Sequence, residues 1–371
     1  MIHLNQAGTS WPKPGPVVEA VGDALVAPPQ SWAKRFTAQH REIAGVLGVS
    51  DPRRLLLTPG ATSALSAAVL DLPWQTGDRV VTSGLEHHAL DRPVQQLAAW
   101  GVERVVVPPG DGRAFGLDVL RDVLRGGRVR LVATTAACNV TGDRLPVEEV
   151  VALAHEHDAL VLVDAAQIAG WLAIDVEALG VDLLAFTGHK GPQGPWGIGG
   201  LYVADRVVMA SPAATCQIPS TSEDSPAPCA PMPGYCDVGS VDRAALAGLV
   251  AGFRWLAEPS RADRLARARR QTAFVEATLA DIDHVLLHAW SPATERMPVV
   301  AFTSSRLAPA EIARALEERG CLVAGGLQCA PLAHETLGTA PDGVVRISFG
   351  PGNADADGEA VVENLREVLA P

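Results

Sequence analysis

Lys190 ends a strand-like apolar run and opens a turn, FTGHKGPQGPWGIGG, with five glycines in the ten residues that follow it. Only a backbone that bends sharply or lies against a ligand uses so much glycine. A lysine amine at the carboxyl end of a strand, inside such a turn, is placed to condense with a carbonyl as a Schiff base. A solvent-facing loop lysine is the plain alternative, and composition weighs against it. The 30 basic residues are 27 Arg and only three Lys, at 13, 34 and 190, and only Lys190 sits in a motif.

Asp164 closes the apolar run LVLV, which reads as a buried strand. A carboxylate there can keep a pyridinium nitrogen protonated, the condition under which pyridoxal phosphate acts as an electron sink. Gln167 stands three residues on, within reach of that ring's phenolic oxygen. The 26 residues from Asp164 to Lys190 make one strand–helix–strand excursion, which brings both to neighbouring strand ends. TPGATSAL (58–65) opens an apolar helix with free amides and hydroxyls, a cradle for phosphate, although many helices begin with Thr or Ser merely as a cap. EHHAL (86–90) follows the strand RVVTSG and offers an imidazole to stack on a flat ring; a surface histidine pair would read the same way.

The elements that position these residues alternate. RVVTSG (79–84), RVVVPPG (104–110), VRLVATTAA (129–137), LVLVDAAQ (160–167) and LLAFTGHK (183–190) are short β-branched runs with polar endings. The segments between them have helical periodicity, as in PVEEVVALAHEHD (146–158). The pattern predicts βαβ units, a largely parallel sheet covered on both faces, and a site beyond the strands' carboxyl ends. Past residue 205 comes a Pro-, Ser- and Cys-rich stretch (211–240), then one Arg-rich amphipathic helix over about 244–280. A short strand (297–304), a helix (308–320), a strand (344–350) and a final helix (354–370) follow.

Taken in order, TPGATSAL, EHHAL, CNVTG, VDAAQ, FTGHKGPQG and GLQCAPLAHETLGT resemble the class V, fold-type I pyridoxal-phosphate enzymes. Within them the chain is most similar to the cysteine desulfurase and selenocysteine lyase branch, from LNQAGTSWPKP to VRISFG. The resemblance implies an α/β fold: a large domain with a mostly parallel seven-stranded sheet between helices, and a small C-terminal α+β domain. The divisions expected are an N-terminal arm (1–20), a large cofactor-binding domain (21–256) and a small domain (257–371). It further implies that Lys190 holds the cofactor and then shuttles protons, that Asp164 pairs with the pyridine nitrogen, and that Gln167 binds the phenolic oxygen. His87 stacks on the ring, and Asn139 lies near the phenolic oxygen and the substrate. Ala61, Thr62, Thr187 and His189 hold the phosphate, while Ser240 reaches the phosphate of the partner subunit in a homodimer. Arg346 binds the substrate carboxylate, Ala7 and Gly8 lie beside the substrate, and Cys329 takes sulfur from it.

Departures from the branch are equally plain. Its catalytic loop reads R-x-G-x-H-C, whereas this chain has Ala324-Gly325-Gly326-Leu327-Gln328-Cys329. Losing a bidentate guanidinium removes about 1.5–3 kcal/mol of charge-assisted binding. CQIPSTSED (216–224) replaces an expected Gly-Thr-Gly-Ser stretch. The expectation is therefore cleavage of a carbon–sulfur bond in cysteine or in a bulkier cysteine S-conjugate, in a setting such as secondary metabolism. The alternatives are an aminotransferase, a decarboxylation-coupled oxidative deaminase, an inert role for Cys329, or an inactive scaffold of the same fold.

Composition agrees with an enzyme of this type. The chain has 371 residues, 48% of them apolar and 19% charged, and a net charge of −12, which excludes global disorder and argues against nucleic acid as a partner. No basic and apolar leader opens it, no apolar run approaches a membrane span, and six irregularly spaced cysteines make no disulfide framework. A soluble cytoplasmic protein with reduced thiols is expected. Cys216, Cys229 and Cys236 lack the spacing of a metal site, and no metal is expected.

Overall fold

The computed structural model describes residues 1–110, 112–209, 241–258 and 260–370. Its strands, in chain order, are β1 (Ile2–His3), β2 (Leu55–Thr58), β3 (Arg79–Ser83), β4 (Glu103–Val107), β5 (Val129–Thr135), β6 (Leu160–Asp164), β7 (Leu183–Thr187) and β8 (Gly199–Val203). There follow β9 (Val285–Leu287), β10 (Val299–Ser304), β11 (Cys321–Leu322), β12 (Ala324–Gly326) and β13 (Val344–Ser348). A seven-stranded sheet has the order β2-β8-β7-β6-β5-β3-β4, in which only β8 runs against its neighbours. β5, β6 and β7 are almost wholly buried, as expected of strands covered by helices on both faces. Their polar ends, Thr135, Asp164 and Thr187, meet on one side of the sheet, and the helix Ala61–Leu70 begins there too, directly after β2.

A second, four-stranded antiparallel sheet has the order β12-β13-β10-β9. The N-terminus joins this part of the molecule: β1 pairs in parallel with β11, and Ser348 donates its amide to the Leu4 carbonyl at 2.7 Å. Residues 5–13 then run back to the large sheet's carboxyl edge. The helix Gly15–Val26 that follows crosses the expected boundary at residue 20.

One expected element is two. The helix anticipated over 244–280 is broken into Arg243–Ala257 and Arg261–Ala280. Glu258 is extended, as residues before proline prefer, and Ser260 caps the second helix by accepting the Asp263 amide. The cysteines Cys216, Cys229 and Cys236 lie outside the described residues, as does Ser240.

The loop CNVTGD (138–143) joins the two sheets. Gly142 has φ +79°, and a Cβ there would lie 2.7 Å from the Met297 carbonyl, so glycine is required. The fully buried Asp143 carboxylate accepts the amides of Trp290 and Ser291 at 2.8–3.2 Å. Asp143→Ala leaves those amides without their anion and should lower the unfolding free energy by about 2–5 kcal/mol in urea titration.

Candidate active site

The strand ends enclose a cavity of about 220 Å³. Lys190, Asp164, His87, Asn139, Gln167 and Thr187 line it, and Ala61, Thr62 and His189 complete its wall. Residues from five separate segments of sequence thus face one volume. Gly191 shows why the turn after Lys190 needs glycine: a Cβ there would lie 2.1 Å from the Ala169 carbonyl.

Burial sets the electrostatics. Lys190 loses solvation and its amine pKa falls; Asp164 acts against that shift, while Arg346 adds to it. Asp164 is 4% exposed, and burial raises its pKa although the Ala166 amide donates to Oδ1 at 2.9 Å. Desolvation also drives His87 down to about 3 and His189 to about 4, so both imidazoles are neutral at physiological pH. His87 Nδ1 accepts the Ala89 amide at 3.0 Å, which caps the helix His88–Gln96 and leaves the ring proton on Nε2.

The residues fit pyridoxal phosphate. An amine with a lowered pKa and a buried carboxylate face the same cavity. The helix Ala61–Leu70 has no side-chain cap, so its leading amides are available to a phosphate. Asn139 is buried, and its Oδ1 has no hydrogen-bond partner.

The substrate-side residues sit at the cavity's margin. Arg346 is 4% exposed; it donates to the Asn139 carbonyl and to Asn5 Oδ1, both at 2.7 Å, and its buried Nε has no partner. Burial lowers its pKa to about 10, still a cation at neutral pH. The Ala7 carbonyl accepts from Gln167 Nε2 at 3.1 Å, which uses one of that amide's two hydrogens. Gly8 bonds back to the Asn5 carbonyl at 3.0 Å. Cys329 is exposed and lies outside the cavity wall, but its carbonyl accepts the His88 amide at 2.9 Å. Ala324 stands in register with Arg346 across β12 and β13.

The family model for aminotransferase class-V matches residues 20–361. The chain belongs to that family. A probable cysteine desulfurase of Vibrio cholerae is 27% identical over all of this chain and 94% of its own length. Another, from Pseudomonas aeruginosa, is 31% identical over 96% of this chain and 90% of its own. The apo structure of a cysteine desulfurase from Thermococcus onnurineus superposes with a TM-score of 0.89, at 25% identity, over 99% of this chain and 94% of that one. The expected family and fold are thus borne out, and the family's cofactor is pyridoxal 5′-phosphate.

Three site features escape a reading of the sequence. The His189 carbonyl accepts from Ser10 N and Oγ, Thr9 Oγ1 and Lys13 Nζ at 2.8–3.3 Å. Lys13, outside any motif in the sequence, therefore abuts the Lys190 turn, and burial brings its pKa to about 8. The second is His334, described below. The third is Glu86, fully buried beside His87: Ser83 Oγ and the Thr135 amide donate to it, the latter at 3.0 and 3.2 Å. Desolvation raises its pKa to about 8, and the charge of Asp164 adds to that rise. A glutamate preceding two histidines carries no signal of its burial.

Glu86 makes a signed prediction. Between the usual carboxylate range and about 8, the folded chain keeps a proton that the unfolded chain has lost. Its contribution to stability therefore falls as pH rises through that window. Glu86→Gln has no such proton, so its stability relative to wild type should rise from near pH 5 to near pH 8, by up to about 1.4 kcal/mol per pH unit. Equal pH slopes for the two proteins in denaturant titration would show that Glu86 is ionised in the fold.

Proposed function

We propose that this chain cleaves the carbon–sulfur bond of cysteine and takes the sulfur onto Cys329. The observation that carries the reading is the tie between the Cys329 carbonyl and the amide of His88, next to the cavity residue His87, which fixes the backbone of an exposed cysteine beside the cavity containing Lys190. Cys329 is also close enough to Lys190 and Arg346 for its charge to raise both their pKa values.

Bound pyridoxal phosphate supplies an electron sink at the substrate α-carbon. With the cofactor bound, Asp164 would keep the proton on the ring nitrogen and His87, a neutral imidazole, would face the ring. Ala61, Thr62, Thr187 and His189 hold the phosphate, and Gln167 and Asn139 face the phenolic oxygen. Arg346 takes the substrate carboxylate, the anion its unpartnered Nε lacks, with Ala7 and Gly8 beside it. Lys190, whose amine pKa burial lowers, removes the α-proton and later returns one to carbon. The Cys329 thiolate attacks the substrate sulfur; an S–S bond forms as the Cβ–S bond breaks, leaving a persulfide on Cys329 and alanine as product.

A second reading rests on Ala324. With no second guanidinium opposite Arg346, the site has room for a cysteine S-conjugate, whose thiol would leave from Cβ and give pyruvate and ammonia without any step at Cys329. We also propose a cytoplasmic homodimer in which Ser240 contacts the partner's phosphate; among the described residues, no helix is long and apolar enough to cross a membrane. Light scattering that finds a monomer would remove the Ser240 role.

Incubation with cysteine should yield alanine, and Cys329→Ala should abolish it. Pyruvate and free thiol from S-alkyl cysteine, unchanged in Cys329→Ala, would favour the lyase. A product that needs an added keto acid would overturn both in favour of transamination. Independently of turnover, the purified protein should carry a pyridoxal absorption band that borohydride removes and that Lys190→Ala lacks.

A further inference from the structure

Gln328 and Cys329 are consecutive residues with φ of +43° and +58°. Side-chain-bearing residues rarely occupy this left-handed region, and such a turn persists only where its surroundings over-determine it. Asn139 Nδ2 donates to the Gln328 carbonyl at 2.9 Å, and the His88 amide donates to the Cys329 carbonyl at 2.9 Å. Gln328 Nε2 donates to the Val344 carbonyl at 3.0 Å. That leaves Gln328 Oε1, which lies 3.2 Å from His334 Nε2.

An amide oxygen only accepts, so His334 carries its proton on Nε2. Its Nδ1, 2.7 Å from Thr339 Oγ1, then accepts that hydroxyl's hydrogen. One neutral tautomer satisfies both contacts, and His334 is fully buried. Its helix, Pro331–Leu337, starts two residues after Cys329 and is pinned to the turn leading to His87 by Thr336 Oγ1, which donates to the Gly84 carbonyl at 2.8 Å.

We infer that His334 is a positioning residue for Cys329: it holds Gln328, and through Gln328 the left-handed turn that fixes the Cys329 backbone beside the cavity. Its effect on turnover rests on Cys329 being the sulfur acceptor; its effect on the turn does not. Asn139 completes the link, because the same side chain lines the cofactor cavity and holds Gln328. The turn and the cavity are thereby coupled without passing through bulk solvent.

The test uses holoenzyme variants that retain the cofactor absorption band. His334→Phe keeps ring volume and removes both hydrogen bonds. His334→Gln keeps a donor near the position of Nε2, whereas His334→Asn keeps a group near Nδ1 only. Hydrogen exchange in the peptides containing His88 and residues 327–330 should quicken about tenfold in H334F and H334N and return toward wild type in H334Q. Alanine formation from cysteine should lose about tenfold in kcat with KM within about twofold, and H334Q should restore it. Gln328→Leu cuts the same link from a half-buried position and should reproduce H334F, which covers a failure of H334F to fold. The inference is overturned if exchange or kcat in folded H334F or Q328L matches wild type, or if H334Q behaves like H334F. Should wild type form no alanine, the sulfur-acceptor reading fails, and the exchange measurement alone decides for or against the hold on the turn.

Discussion

Removing an amine and a carboxylate from water at neighbouring strand ends is the constraint on which the rest of this site depends. Lys190 and Asp164 are each disfavoured in their charged forms by burial, and each partly restores the other. The same low-dielectric volume keeps His87 and His189 neutral and Glu86 protonated. Such an environment is costly to hold empty of charge compensation, and it suits a ligand that brings its own cationic ring nitrogen and anionic phosphate.

The N-terminal segment keeps that volume closed. Asn5, Ala7, Ser10 and Lys13 reach Arg346, Gln167 and the His189 carbonyl, which belong to β13 and to the loops after β6 and β7. Because the Leu4 carbonyl accepts the Ser348 amide of β13, a single strap fastens the small sheet to the cofactor-side edge of the large one. CNVTGD makes the complementary tie through Gly142 and Asp143. Both joins pair a side chain with a group distant in the chain, as in Arg346 with Asn5, Gln167 with Ala7 and Asp143 with the Ser291 amide, so they depend on how remote segments approach.

That distinction explains what could be read in advance. The alternating strands, the parallel sheet and the cavity residues Lys190, Asp164 and His87 were legible because each lies at or just after the end of a strand whose apolar pattern is local. The helix break between Ala257 and Arg261 was missed because good helix formers continue on both sides of it, although Pro259 marked it in the sequence. The strap was missed because a two-residue strand has no period to detect, and the strand it pairs with, β11, is more than 300 residues away in the chain.

By itself, the sequence determined the chemistry available: one motif lysine, a strand-end carboxylate, an apolar helix opening on small and hydroxylic residues, and a loop cysteine without its usual arginine and histidine neighbours. Residue type and local spacing are enough for that. Tertiary structure alone decided in which direction burial shifts each ionisable group, that Lys13 and Glu86 lie beside the site, and that the Gln328–Cys329 turn is bonded to Asn139 and His88. Solvation and hydrogen-bond geometry depend on what packs from distant parts of the chain, and no local pattern encodes them.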